Sequence, residues 1–121
     1  KDILKGLSGR DYLFGERGDD TLLGGEGDDY LDGGAGRDMA DYSHMDTSIS
    51  INMFKNEAIG EGKDTLKDIE DLKGGLANDT LIGNDSSNAI YGMAGDDTLS
   101  GYGGDDLLSG GDGNDMADYQ Y

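Results

Sequence analysis

Glycine recurs at nine-residue intervals, at Gly6, Gly15, Gly24 and Gly33, and again at Gly74, Gly83, Gly92, Gly101 and Gly110. A second series follows three residues behind: Gly9, Gly18, Gly27, Gly36, Gly95, Gly104 and Gly113. Five residues after the first glycine stands Asp11, Asp20, Asp29, Asp38, Asp79, Asp97, Asp106 or Asp115, with Asn88 the one substitute. Two residues further comes a single apolar side chain: Leu13, Leu22, Leu31, Ala40, Leu81, Ile90, Leu99, Leu108 and Ala117. A unit with one apolar residue cannot bury it alone, so such an array has to stack.

A longer period lies over the short one. Residues 2–42 and 79–119 align without a gap at an offset of 77, with about half the positions identical. The chain therefore reads as a first repeat block at 1–42, a spacer at 43–73 and a second block at 74–121. The spacer holds four of the nine basic residues, Lys55, Lys63, Lys67 and Lys73. Its stretch Thr47–Phe54 alternates polar and apolar residues, the pattern of a half-buried strand. Lys55–Lys63 reads as a polar loop. Asp64–Lys73 fits a short helix through Leu66, Ile69 and Leu72, but Glu70 and Leu72 fall on the nine-residue register, which favours a strand rung.

Within a unit, glycine opens backbone conformations that other residues avoid, so the six residues GGxGxD form a turn. The other three make a very short strand with its central side chain inward. Two turns and two strands complete a coil in 18 residues, and each repeat stacks on its next-but-one neighbour. Asp20 then lies against Asp38, Asp11 against Asp29, Asp79 against Asp97, and Asp97 against Asp115. Nothing basic stands at matching positions to relieve these carboxylates. A hard divalent cation would, and calcium suits the turns because it takes six to eight oxygens in flexible geometry. Magnesium demands tight octahedral coordination and keeps its waters. With no cysteine and one histidine, softer metals find no ligand set.

Composition narrows the function further. The 27 acidic residues against 9 basic ones give a net charge of −18, which excludes a basic face for nucleic acid or anionic lipid. No apolar run approaches the length of a membrane helix. Without disulfides, and with one inward apolar residue per repeat, the metal-free chain is expected to be largely unfolded, and cation binding to be its folding step. The chain begins at Lys1, which reads as a piece of a longer protein.

The rows GGEGDDYLD (24–32), GGAGRDMAD (33–41) and GGDGNDMAD (110–118) resemble the RTX (repeats-in-toxin, hemolysin-type) calcium-binding nonapeptide GGxGxDxUx, with U a large aliphatic residue. The resemblance covers residues 2–42 and 74–119, and the segment 62–75 (GKDTLKDIEDLKGG) is similar to the spacer between repeat blocks of large proteins of this kind. It implies an all-β chain, a parallel β-roll of two nonapeptide-repeat blocks joined by a β-rich spacer. It also implies a bacterial protein exported by a type I system and folded outside the cell. The side-chain ligands it implies are Asp11, Asp20, Asp29, Asp38, Asp79, Asp97, Asp106 and Asp115. Backbone carbonyls of the turns, at Gly18, Gly27, Gly36, Gly95, Gly104 and Gly113, would complete the shells, for about five Ca²⁺ in all.

Departures from the pattern mark weak points. Leu7, Glu16, Asn84, Met93 and Tyr102 replace the second glycine, and the turn 83–88 lacks the fourth-position glycine and the Asp. A site shared by Asn88 and Asp106 is expected to be weak or empty. Ala77 replaces a glycine in the turn 74–79, which is tolerable if its φ stays negative. Asp19, Asp28, Asp96 and Asp105, just before the ligand position, fit either solvated charge or support of the ligand shell. Tyr42 and Tyr119 end the arrays as lids on the apolar interior.

No catalytic constellation emerges. His44 has no motif around it and reads as a surface residue. Residues 60–65 (GEGKDT) superficially resemble a phosphate-binding loop, but the first glycine is missing and Asp64 breaks the ending. The fragment is therefore read as a non-enzymatic calcium-binding module, monomeric and secreted, whose partners are calcium and the rest of its parent polypeptide. Two other classes stay open. One is a carbohydrate-binding auxiliary module like those of alginate epimerases, for which the four spacer lysines would have to cluster; the other is an adhesin segment facing a cell surface.

Overall fold

One apolar side chain per rung leads to a thin, two-sided coil, and a computed structural model shows this for the residues it describes, 1–119. Gln120 and Tyr121, the last two residues of the second block, lie outside the described residues. The first repeats give β1 (Ile3–Ser8), β2 (Tyr12–Phe14), β3 (Thr21–Glu26), β4 (Tyr30–Asp32) and β5 (Met39–Asp41). The spacer gives β6 (Ser50–Asn52), β7 (Glu57–Gly60), β8 (Gly62–Lys67) and β9 (Asp71–Lys73). The second repeats give β10 (Thr80–Ile82), β11 (Ala89–Ala94), β12 (Thr98–Ser100), β13 (Leu107–Asp112) and β14 (Met116–Asp118). No helix occurs among the described residues.

The strands form two sheets, ordered β1-β3-β5-β9-β11-β13 and β14-β12-β10-β6-β7-β8-β4-β2. Repeat strands pair in parallel at 18-residue spacing: Leu4 with Leu22, Leu13 with Leu31, and Leu81 with Leu99. The alternation of side chains across a strand turns one residue per rung inward. Leu22, Leu31, Ala40, Leu81, Ile90 and Leu99 are fully buried, while Leu4, Leu13 and Leu108 are partly buried in the outer coils. Ala117, in the last strand, is exposed. The architecture is thus the parallel β-roll expected.

Both sheets run on through the spacer. In one, β9 pairs with β5 on one side and β11 on the other. In the other, β6 lies parallel to β10, β7 turns back antiparallel, and β8 pairs antiparallel with β7 and parallel with β4. One sheet therefore gains a single rung and the other gains three strands. Met45, Ile49, Ile51, Met53, Ala58, Leu66, Ile69 and Leu72 fill the added space, eight of the fifteen residues of the main core cluster. The insertion also moves the repeat by one face: Leu22 and its copy Leu99, 77 residues on, lie in opposite sheets.

Several spacer readings change. Only Ser50–Asn52 of the stretch Thr47–Phe54 is strand, because Met53–Asn56 form the turn of a hairpin. Lys55–Lys63 is not a polar loop: its Ala58 is buried at the centre of β7. Asp64–Lys73 is strand and turn, as the register of Glu70 and Leu72 requires. Tyr42 is buried in the middle of the roll rather than at an end, but Tyr119 is 50% exposed, since no coil stacks beyond β14 among the described residues.

Candidate metal centre

Wherever a repeat turn has a glycine at its fourth position, that glycine is in left-handed backbone, for instance Gly27 at φ 124° and Gly36 at φ 139°. A side chain on Gly27 would run into the carbonyl oxygen of Gly9 in the stacked turn, so both conformation and contact demand glycine here. Gly18, Gly95, Gly104 and Gly113 are left-handed too, and the carbonyls of Gly18 and Gly95 stand against Gly36 and Gly113 in the same way. Leu7, Glu16, Met93 and Tyr102 hold left-handed backbone without being glycine, at φ 70–82°, a strained state for a bulky side chain. Ala77 avoids it.

The phased aspartates form ladders. Asp20 Oδ1 accepts the backbone N–H of Asp2 at 2.6 Å, Asp38 that of Asp20 at 2.7 Å, and Asp29 that of Asp11 at 2.9 Å. In the second block Asp97 accepts from Asp79 at 2.8 Å, Asp115 from Asp97 at 2.9 Å, and Asp106 from Asn88 at 2.9 Å. All four stacked pairs expected from the 18-residue coil are therefore brought together. The preceding acidic residues make a second ladder: Asp19, Asp28 and Asp96 accept the N–H groups of Arg37, Lys63 and Asn114. Asp105 differs, donating its own N–H to Ser87 Oγ.

The other carboxylate oxygen is the telling one. Oδ2 of Asp11, Asp20, Asp29, Asp38 and Asp97 is buried and has no hydrogen-bond partner. A partnerless buried carboxylate oxygen is among the most unfavourable groups a fold can hold. These oxygens also gather with backbone carbonyls. A Cβ built on Gly6 would lie 2.5 Å from Gly24 O and 2.6 Å from Asp11 Oδ2; one on Gly15 would lie 2.5 Å from Gly33 O and 2.9 Å from Asp20 Oδ2. The first glycine of the turn thus leaves open a cradle of oxygens from two successive coils.

Such a cradle fits a hard cation. Among the described residues no three carboxylate or imidazole side chains gather to hold a metal. A site here must draw most of its oxygens from the backbone, which calcium accepts readily. Burial holds the carboxyls of Asp38 and Asp97 above the ordinary carboxylate range, and the charges of Asp20 and Asp79, their neighbours in the ladder, add to the effect.

Not every phased position shares this state. Asp79 has both oxygens occupied, Oδ1 by the N–H of Ile49 at 2.9 Å and Oδ2 by that of Gly75 at 2.7 Å. Asn88 accepts from Asn84 N–H through Oδ1 and donates Nδ2 to the carbonyl of Glu70 at 2.7 Å. Asp115 is exposed in the last turn.

Two residues missed by the sequence reading join the ladders. Asp64 Oδ1 accepts the N–H of Asp29 at 2.9 Å, and its Oδ2 accepts the hydroxyl of Tyr42 at 2.7 Å. Burial pushes the Asp64 carboxyl up, and burial beside Asp64 holds the Tyr42 phenol well above its usual range. Glu70 Oε2 accepts the N–H of Asp38 at 2.8 Å. A signal for Asp64 was present: residues 60–67 (GEGKDTLK) match 25–32 (GEGDDYLD) at five of eight positions. His44 is exposed, as expected.

No curated protein matches the chain at a significant level. A family profile described as RTX calcium-binding nonapeptide repeat (4 copies) matches residues 2–40, 68–95 and 82–117, well over half of the chain. With its period, its roll and its cradles in agreement, the chain belongs to the RTX calcium-binding nonapeptide repeat family, and as a module it is a calcium-binding β-roll rather than a catalytic fold.

Proposed function

We propose that this module is a calcium-driven folding switch and scaffold of a secreted bacterial protein, unfolded in the low calcium of the cytosol, exported by a type I system and folded outside. The observation that carries the reading is the set of five buried Oδ2 atoms without a partner. An ion at each would remove the penalty, so folding and calcium binding become one step. Asp11, Asp20, Asp29, Asp38 and Asp97 then supply the principal side-chain oxygens of about five ions, with Asp106 and Asp115 serving the last coils and carbonyls such as those of Gly18, Gly27 and Gly95 completing the shells.

The parent polypeptide is its natural partner, and the module is organised as two repeat blocks, 1–42 and 74–121, joined by the spacer 43–73. No helix among the described residues is long and apolar enough to cross a membrane. A polysaccharide module would need the spacer lysines free to form a groove. Lys63 is paired with Glu57 at 3.3 Å, and Lys67 with Asp32 at 3.0 Å and Asp68 at 3.3 Å, which argues against that use.

Far-UV circular dichroism in EGTA, followed by millimolar calcium, tests the switch. At neutral pH the strand signal should appear only with calcium. A signal that calcium leaves unchanged sinks the proposal.

A further inference from the structure

The five partnerless carboxylate oxygens are not confined to repeat-on-repeat contacts. Asp11, Asp20 and Asp97 lie in turns followed by a repeat turn one coil on, whereas Asp29 and Asp38 lie in turns followed by the interrupting segment, their ladder partners being 35 and 32 residues away. We propose that this segment closes two cation sites of its own, one between turns 24–29 and 59–64 and one between turns 33–38 and 68–70. The proposal rests on the repeats being calcium sites and extends them into the turn 59–64, outside the residues the family profile matches, and the shortened turn 68–70, at the very start of one match.

The second half of the turn 59–64 repeats three bonds of a repeat turn, although its first residues, Ile59 and Gly60, pair antiparallel within the hairpin of β7 and β8. Gly27 N–H donates to Glu61 O at 3.0 Å, as Gly9 N–H does to Glu26 O at 2.9 Å. Lys63 N–H donates to Asp28 Oδ1 at 2.9 Å, as Arg37 N–H does to Asp19 Oδ1 at 3.0 Å. Asp29 N–H donates to Asp64 Oδ1, as Asp11 N–H does to Asp29 Oδ1, both at 2.9 Å. Gly62 has φ 128° against 124° for Gly27, and a side chain on it would strike the carbonyl of Gly27. Asp29, 3% exposed, keeps its Oδ2 without a partner in this setting.

The turn 68–70 has three residues where a repeat has six, yet it rebuilds the same elements by other means. Gly33 N–H donates to Lys67 O at 2.9 Å, as Gly15 N–H does to Asp32 O at 2.8 Å. Asp68 takes left-handed backbone at φ 49°, and its carbonyl oxygen meets the cradle at Gly33, where a Cβ would lie 2.7 Å from Asp38 Oδ2. The carbonyl of Asp68 thus stands where Gly24 O stands for Asp11. Glu70 reaches the N–H of Asp38 from this shortened turn with one methylene more than the aspartate of a repeat. Asp38 is fully buried, and its Oδ2 has no partner. The next slot on this edge shows the metal-free alternative, because there the Asn88 amide supplies an N–H to the carbonyl of Glu70.

Native mass spectrometry of the full chain in saturating calcium tests the two sites by ion count. Gly62→Ala drives a Cβ into Gly27 O, and Asp68→Val puts a β-branched residue in left-handed backbone. Each should bind one ion fewer than the wild type, whereas Asp68→Asn, which tolerates that backbone, should keep the full count. Gly113→Ala, at the Asp97 site, should lose one ion through the repeats alone. If Gly113→Ala loses its ion while Gly62→Ala and Asp68→Val keep all of theirs, the spacer sites are overturned and the repeat sites stand. A wild-type chain that binds no calcium overturns the underlying reading instead. Anomalous diffraction from terbium-loaded wild-type crystals gives the same decision without relying on variants to fold. Peaks beside Asp29 and Asp38 toward Gly62 and Asp68 are expected, and peaks at Asp11 and Asp20 alone would refute the proposal.

Discussion

The repeats and the interrupting segment treat buried charge in opposite ways. In the repeats, one apolar residue per rung lies inward, and Asp11, Asp20, Asp29, Asp38 and Asp97 each bury a carboxylate oxygen that no protein group meets. Around residues 43–73 the buried carboxylates of Asp64, Asp71 and Asp79 have protein partners. Tyr42 serves Asp64, Gly75 and Ile49 serve Asp79, and Arg37 holds Asp71 through two bonds of 2.9 and 2.7 Å. The same segment supplies eight of the fifteen main core residues. Contacts of repeat on repeat lean on an ion for their stability, whereas the interruption, beyond helping to close the sites of Asp29 and Asp38, leans on apolar burial and internal hydrogen bonds. A roll with a thin core gains most where its period is broken.

That contrast is exposed first by core truncation. Leu72 is fully buried, on the strand that pairs with both repeat blocks in one sheet. Leu72→Ala should lower the stability of the calcium-loaded chain by about 2–5 kcal/mol. Leu108, partly buried in an outer coil, should lose only about 1 kcal/mol when cut to alanine. Urea denaturation in saturating calcium measures both, and equal losses would remove the distinction between spacer and repeat cores.

A matched pair of aspartates sharpens the electrostatic half of the comparison. Asp97 has an open Oδ2, whereas both oxygens of Asp79, one coil earlier, are engaged. Asp97→Asn should remove one bound ion and raise the calcium midpoint of folding several-fold. Asp79→Asn should leave the ion count unchanged, because its carboxylate already has protein donors. It should instead cost about 1–3 kcal/mol, since the new amide N–H₂ would face the N–H of Gly75 or Ile49. Calorimetric titration gives the counts. An ion lost at Asp79 but not at Asp97 would reverse the assignment.

These differences also mark what the sequence could disclose. Where a repeat stacks on a repeat the ladder partner lies 18 residues away, so period is topology, and the pairs Asp20–Asp38 and Asp79–Asp97 follow from counting. Asp64 escaped, and so did the bond of Glu70 to Asp38 although Glu70 lies on the register of the second block, because their partners lie at 35 and 32 residues, neither a multiple of nine. The hairpin of β6 and β7 inserts an arbitrary length, and the turn 68–70 drops three residues, so phase is lost though the geometry returns. The engaged state of Asp79 was equally hidden, since Ile49 reaches it from 30 residues away across a segment without a period. Tyr42 looked like a lid because it ends a block; the continuing sheets make it a core residue instead.

The smallest effect expected is on pH, and it again divides metal-free from loaded protein. Burial raises the carboxyl pKa of Asp38, Asp64, Glu70, Asp79 and Asp97 above the ordinary range, while hydrogen bonds received in the ladders oppose the rise. Without an ion, the folded chain therefore binds protons more tightly than the unfolded one. The resulting stabilisation is fully present below the ordinary carboxylate pKa and is lost as pH rises through the raised values. The calcium-free chain should accordingly gain strand signal on acidification from neutral pH. The calcium-loaded chain should move the other way, because protons then compete with the ion for the same oxygens. Circular dichroism across that pH range, with and without calcium, reads both signs. A calcium-free chain that gained no strand as pH fell would mean that the buried carboxylates do not govern the metal-free state, and the division between ion-held repeats and a self-held spacer would lose its electrostatic basis.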